Sequence, residues 1–120
     1  EPGRGALGVA ECGASVPFNV TRAFYLYDMP TDAVRGEHAH HETHQFLICL
    51  AGAMEATLWD RTGKRSITVD SPAMGLYVRP MIWLTLVNRS PGTICLVLTS
   101  TNFEEADYIR DAKEFAGLID

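Results

Sequence analysis

Arg35-Gly36-Glu37-His38-Ala39-His40, followed by the apolar run Phe46-Leu47-Ile48-Cys49-Leu50, is the stretch on which the reading of this chain turns. Alternate side chains of a β-strand share a face, so His38 and His40 point the same way. Two imidazoles converging in one cavity can bind a metal or move protons near neutral pH. Arg35 adds a permanent positive charge suited to phosphate or carboxylate. The apolar run after the pair has the length and composition of a buried strand.

Working outward, short β-prone runs alternate with turn residues along most of the chain. Strands are expected at Gly8–Glu11, Arg22–Tyr27, Gly36–His40, Gln45–Ala51, Met54–Asp60, Lys64–Val69, Gly75–Val78, Ile82–Asn88 and Thr93–Ser100. Breaks fall at Pro17, Met29-Pro30-Thr31-Asp32, Ala51-Gly52, Arg61-Thr62-Gly63, Asp70-Ser71-Pro72 and Ser90-Pro91-Gly92. Asp60-Arg61-Thr62-Gly63-Lys64 reads as a hairpin loop in which Gly63 supplies positive φ. Strands of this number and spacing predict an all-β sandwich or barrel, not a parallel sheet with crossover helices. Only the tail, Phe103–Leu118, reads as helical. The absence of repeats, linkers and low-complexity segments predicts one domain over residues 1–120.

Composition excludes several functions. The chain of 120 residues is 47% hydrophobic and 21% charged, ordinary for a globular domain. Its net charge of -5, with the ten basic residues scattered, argues against a nucleic-acid surface. No apolar stretch approaches the roughly 20 residues needed to span a bilayer. Cys12, Cys49 and Cys95 form no CxxC pair, and Cys49 and Cys95 lie in apolar runs, which predicts reduced core thiols and a cytoplasmic setting.

The spacing His38-x-His40-x4-Gln45-x6-Gly52 resembles the first cupin motif, and Gly75, Pro80 and Asn88 echo the second. Gln45 stands where a metal-binding cupin has its Glu, and Leu84 where it has its remaining His. Catalytic metals usually keep three or four protein ligands, so no metal and no other cofactor is expected. Arg22-Ala23-Phe24-Tyr25-Leu26-Tyr27-Asp28, Arg35-Gly36-x-His38-Ala39-His40, Gly75-Leu76-Tyr77-Val78-x-Pro80-x-Ile82-Trp83 and Asp107-Tyr108-Ile109-Arg110-Asp111 together resemble the nucleotide-sugar 3,4-ketoisomerases. These are metal-free cupins with a WxcM-like domain, and the resemblance runs over nearly the whole chain. Three positions depart from the family's usual residues: Met81 for Gly, Leu84 for a polar residue that is often His, and His44 for Glu.

The resemblance implies a cupin fold, a double-stranded β-helix or jelly-roll barrel with a short C-terminal helix. It implies a homodimer that converts a dTDP-linked 4-keto-6-deoxy sugar to its 3-keto isomer. That reaction removes the proton at C3, stabilises an enediolate and returns a proton at C4. An imidazole suits the transfer, and His38 is the expected base, with His40 orienting it or polarising the sugar oxygens. Tyr25 is the expected member of the relay or oxyanion donor. Arg4, Arg22 and Arg35 are candidates for the diphosphate, Tyr77 and Trp83 for stacking, and Leu84 for shielding one side of the sugar. Asp107-Tyr108-Ile109-Arg110 is expected to pack or cap the barrel. Two other classes stay open: a metal-dependent cupin enzyme and a non-catalytic nucleotide-sugar-binding cupin.

Overall fold

The computed structural model describes residues 3–120. Eight strands carry the architecture: β1 Arg22–Leu26, β2 Val34–His40, β3 Gln45–Ala51, β4 Met54–Asp60, β5 Gly63–Val69, β6 Gly75–Val78, β7 Trp83–Asn88 and β8 Ile94–Thr99. A two-residue strand β9, Tyr108–Ile109, and a helix α1, Ala112–Ile119, close the chain. These strands pair antiparallel throughout and form two sheets, ordered β1-β8-β3-β6 and β5-β4-β7-β2-β9.

Alternation of side chains explains why the sheets face each other. Leu47 and Cys49 of β3, Cys95 and Val97 of β8, Met54, Ala56 and Leu58 of β4, and Leu84 and Leu86 of β7 are all buried in one core between the sheets. Burial of such side chains, roughly 1.5–3 kcal/mol each, is the main drive for this pairing of faces. A second, smaller cluster lies on the far side of the five-stranded sheet. There Phe115 of α1, fully buried, covers Trp59 and Trp83, with ring centroids 5.0 and 5.6 Å away.

The hairpin between β4 and β5 follows the sequence reading. Asp60 Oδ1 accepts from Thr62 N at 2.9 Å and from Thr62 Oγ1 at 2.6 Å, and Gly63 has φ 119°. Two expectations are corrected. Gly8–Glu11 joins no sheet; among the described residues of the N-terminal segment the β-pairing is an isolated bridge, Cys12 with Val16, and Leu7 and Val9 are exposed. The predicted helix Phe103–Leu118 is divided. Glu105–Asp107 forms a 3-10 turn, Tyr108–Ile109 pairs with Ala39–His40 of β2, and the helix starts only after Asp111, whose carboxylate caps Lys113 N. Pairing with an open sheet edge here outweighs local helix propensity, which is a weak preference.

One irregularity positions the site. β2 pairs with β7 as Arg35 with Leu86, Gly36 with Thr85 and His38 with Leu84, so Glu37 is an extra residue in the ladder. Gly36 and Glu37 have φ of 81° and 62°. A Cβ on Gly36 would lie 2.7 Å from the Leu84 carbonyl oxygen, so only glycine fits. In an unbroken strand Arg35 and His38 would point to opposite faces. The bulge shifts the alternation and brings both to the face of Leu84 and Leu86.

Candidate active site

A cavity of about 360 Å³ opens between the sheets. Its walls include Phe24 and Leu26 of β1, Arg35 and His38 of β2, Gln45 and Leu47 of β3, and Leu84 and Leu86 of β7, with Tyr108 and Arg110 from the C-terminal segment. His38 is half-buried and His40 is 5% exposed. Their rings meet edge to face with centroids 5.0 Å apart, and Tyr108 packs against both, at 4.8 Å from His38 and 4.3 Å from His40.

The hydrogen bonds define the tautomers. His38 Nδ1 donates to the Gly36 carbonyl at 3.1 Å, and His40 Nδ1 donates to Asp107 Oδ2 at 2.9 Å. Each Nε2 then carries a lone pair. Both Nε2 atoms are buried without a partner, and so is Arg22 Nε; no other buried side-chain nitrogen or oxygen among the described residues is in that position. Buried polar atoms are nearly always paired, so such a concentration marks a place built for something else to bind.

Electrostatics keep the pair neutral. Burial, aided by the neighbouring His40, pushes the pKa of His38 down to about 4. Burial also lowers that of His40, but the hydrogen bond and charge of Asp107 work against it. Burial would raise the pKa of Asp107, yet hydrogen bonds from Thr43, His40 and the Glu42 amide hold it below the ordinary carboxylate value. At neutral pH two neutral imidazoles therefore stand beside an ionised carboxylate. Among the described residues, no group of three or more His, Cys, Asp or Glu is placed to hold a metal ion.

The structure gathers some of the residues picked from sequence and separates others. His38, Arg35 and Leu84 line the cavity, with His40 beside them. Arg22 lies on the inward side of β1, its guanidinium 5.1 Å from the Phe24 ring and 5.7 Å from that of Phe103. Arg4 is exposed on the N-terminal segment and is not part of the cavity wall. Tyr25 is 63% exposed, because strand alternation turns it away from its inward neighbours Phe24 and Leu26. Tyr77 lies on the outer side of β6, where a 2.6 Å hydrogen bond links its hydroxyl to His44 Nδ1. Trp83 alternates with Leu84 and is buried under α1, where it packs against Phe115.

Tyr108, Asp107 and Arg110 were missed as site residues because their segment read as a helix. The signal for them was present: Asp107-Tyr108-Ile109-Arg110 is part of the resemblance. Arg110 stacks over Tyr108 at 4.1 Å and is held in place by Glu105, with nitrogen–oxygen distances of 2.7 and 3.0 Å.

With this geometry in hand, comparison with known proteins is informative. The family described as FdtA, WxcM-like, C-terminal, matches residues 1–120. The chain belongs to this family. A relative from Aneurinibacillus thermoaerophilus, named TDP-4-oxo-6-deoxy-alpha-D-glucose-3,4-oxoisomerase, is 38% identical over 116 residues, 97% of this chain and 84% of that protein. The structure of WlaRA from Campylobacter jejuni, a TDP-fucose-3,4-ketoisomerase, superposes with a TM-score of 0.93 at 35% identity, covering 100% of this chain and 89% of that one. A mutant of the 3,4-ketoisomerase QdtA from Thermoanaerobacterium thermosaccharolyticum, in complex with TDP-4-keto-6-deoxyglucose, superposes with a TM-score of 0.88 at 31% identity, covering 92% and 80%. The fold is thus the cupin-like all-β architecture of the FdtA relatives.

Proposed function

We propose that this chain is a 3,4-ketoisomerase of a dTDP-linked 4-keto-6-deoxyhexose, working by proton transfer through His38 and His40 without a metal or other cofactor. The observation that carries the reading is the pair of neutral imidazoles whose buried Nε2 atoms have no protein partner, next to a cavity between the sheets. The substrate class is supported by the names and bound ligands of the FdtA relatives.

The two histidines are not equivalent, and the geometry favours a different division of labour from the one read in sequence. A base must stabilise its own protonated form. His40 faces the Asp107 carboxylate, whereas His38 donates only to a neutral carbonyl and would hold a proton only near pH 4. His40 Nε2 is therefore the better acceptor for the C3 proton. As that bond breaks, its electron pair forms the C3–C4 double bond and charge develops on the C4 oxygen. Return of the proton to C4, with transfer of the C3 hydroxyl proton to the C4 oxygen, gives the 3-keto isomer. His38 Nε2, neutral and unprotonated, is suited to relay that oxygen-bound proton. Tyr108, the tyrosine packed on both rings, takes the place proposed for Tyr25 from sequence.

Arg35 and Arg110 both line the cavity and offer fixed cations for the diphosphate, with Arg22 nearby. Leu84 and Leu86 give the sugar an apolar wall. The reading takes the chain as one domain. It also takes it as a cytoplasmic homodimer. The three free cysteines support the first setting. Support for self-association comes from apolar side chains exposed outside the four-stranded sheet, including Tyr25, Leu50 and Ile94.

The test is incubation with dTDP-4-keto-6-deoxyglucose and NMR of the product. Appearance of the 3-keto sugar is expected. Binding of the nucleotide sugar without turnover would make the protein a binding module and overturn the proposal.

A further inference from the structure

Alternation along Gln45-Phe46-Leu47-Ile48-Cys49 decides what each side chain of β3 meets. Phe46 and Ile48 face a separate groove beneath the N-terminal segment. Leu47 and Cys49 face the core between the sheets. Gln45, the first inward residue of the strand, is 4% exposed and forms part of the cavity wall. Its neighbours in that wall include Leu47, Leu84, Leu86 and Val97. An amide in such a row contributes little as packing, because burial takes away the hydrogen bonds it made to water.

The protein itself does not replace those bonds. Across the ladders Gln45 pairs with Val78 and Thr99. Val78 has no polar group, and the Thr99 hydroxyl donates to the Thr101 carbonyl at 2.8 Å. Among the described residues, no hydrogen bond reaches the Gln45 amide. It opens onto the cavity, from the sheet that faces the histidines: His38 lies on β2, beside Leu84 of β7, and Gln45 on β3. A sugar ring between the sheets therefore has an imidazole on one side and an amide on the other. Adjacent keto and hydroxyl groups bring an acceptor and a donor, and an uncharged amide answers with a donor and an acceptor. An ionised carboxylate at this position would only accept, and would repel the charge that develops on the enediolate.

We propose that Gln45 is a substrate-binding residue: its amide hydrogen-bonds the oxygens of the sugar from the sheet opposite the histidines and holds the ring against them. It recognises the sugar and not the nucleotide. The proposal rests on this cavity taking the keto-deoxy sugar, and it holds whichever histidine is the base.

The test uses the whole chain in three forms: wild type, Gln45→Met and Gln45→Leu. Both replacements fill the wall with an apolar side chain and remove the amide. Calorimetric titration with dTDP and with dTDP-4-keto-6-deoxyglucose separates the nucleotide from the sugar. We expect the affinity for the nucleotide sugar to fall by about tenfold in both variants, the effect of about one hydrogen bond, and the affinity for dTDP to change by less than about threefold. The melting temperature of the free variants is expected to equal or exceed that of wild type, because an unpaired amide has given way to an apolar group. Nucleotide-sugar affinity within about threefold of wild type in both variants overturns the proposal. So does an equal loss for both ligands, or failure of both variants to fold, since either makes Gln45 a structural residue. A wild type that binds the nucleotide sugar without turning it over sinks the isomerase reading alone, because the difference between the two ligands still reports on Gln45. A wild type that binds neither ligand overturns both.

Discussion

Acid should destabilise this protein through His38, and replacing that residue by Asn should remove much of the effect. The unfolded imidazole takes up a proton near pH 6.5, but the folded one only near 4, because burial and the neighbouring His40 oppose the charge. Between those values the unfolded chain binds more protons than the folded one. Stability is therefore full above about 6.5 and falls as the pH drops toward 4. At about pH 5 the difference amounts to about 2 kcal/mol for the whole shift, and partial exposure of His38 reduces it toward about 1. Urea denaturation of wild type and His38→Asn, at pH 7.5 and at pH 5, reads this directly. The expected outcome is a wild-type loss larger than the variant's by about 1–2 kcal/mol. Some loss remains in the variant because His40 is shifted in the same direction. The variant should also lose nearly all isomerase activity at pH 7.5 while staying folded. Equal acid losses in the two proteins would refute the reasoning, since His38 would then titrate alike in the folded and unfolded chains.

Further outcomes follow from the same geometry. Leu84→His puts a second imidazole on the cavity wall opposite His38 in the β2–β7 ladder, and should change the turnover rate or the C4 configuration of the product seen by NMR. If it only lowers the melting temperature, as an unsatisfied buried group costing about 1–3 kcal/mol would, Leu84 is merely core. EDTA should leave activity unchanged, because Gln45 and Leu84 occupy the positions where a cupin metal would need its other ligands; loss on chelation, restored by an added metal, would count against the metal-free mechanism. Phe115→Ala should destabilise the fold by about 3–5 kcal/mol, measured by urea denaturation, since the ring is fully buried against Trp59 and Trp83. A cost below about 1 kcal/mol would show that α1 is not anchored through this residue.

The sequence by itself determined the all-β class, most strand boundaries and the pairing of the two histidines on one face. It could do so because strand alternation and turn chemistry are local: a period of two and a glycine or proline break can be read without knowing the neighbours. The resemblance to the ketoisomerases lay in short, specific stretches and was equally legible. Tertiary structure alone decided which face of each strand meets the cavity. Tyr25, Tyr77 and Trp83 carry suitable chemistry, but alternation turns them outward or beneath α1, whereas the bulge at Gly36–Glu37 brings Arg35 to the side of His38. It also decided the character of the two bases. His40 gains its carboxylate from Asp107, 67 residues away in sequence, only because Tyr108–Ile109 pairs with the edge of β2 in place of continuing a helix. That choice depends on an available sheet edge, a property of the folded chain that local propensity does not contain.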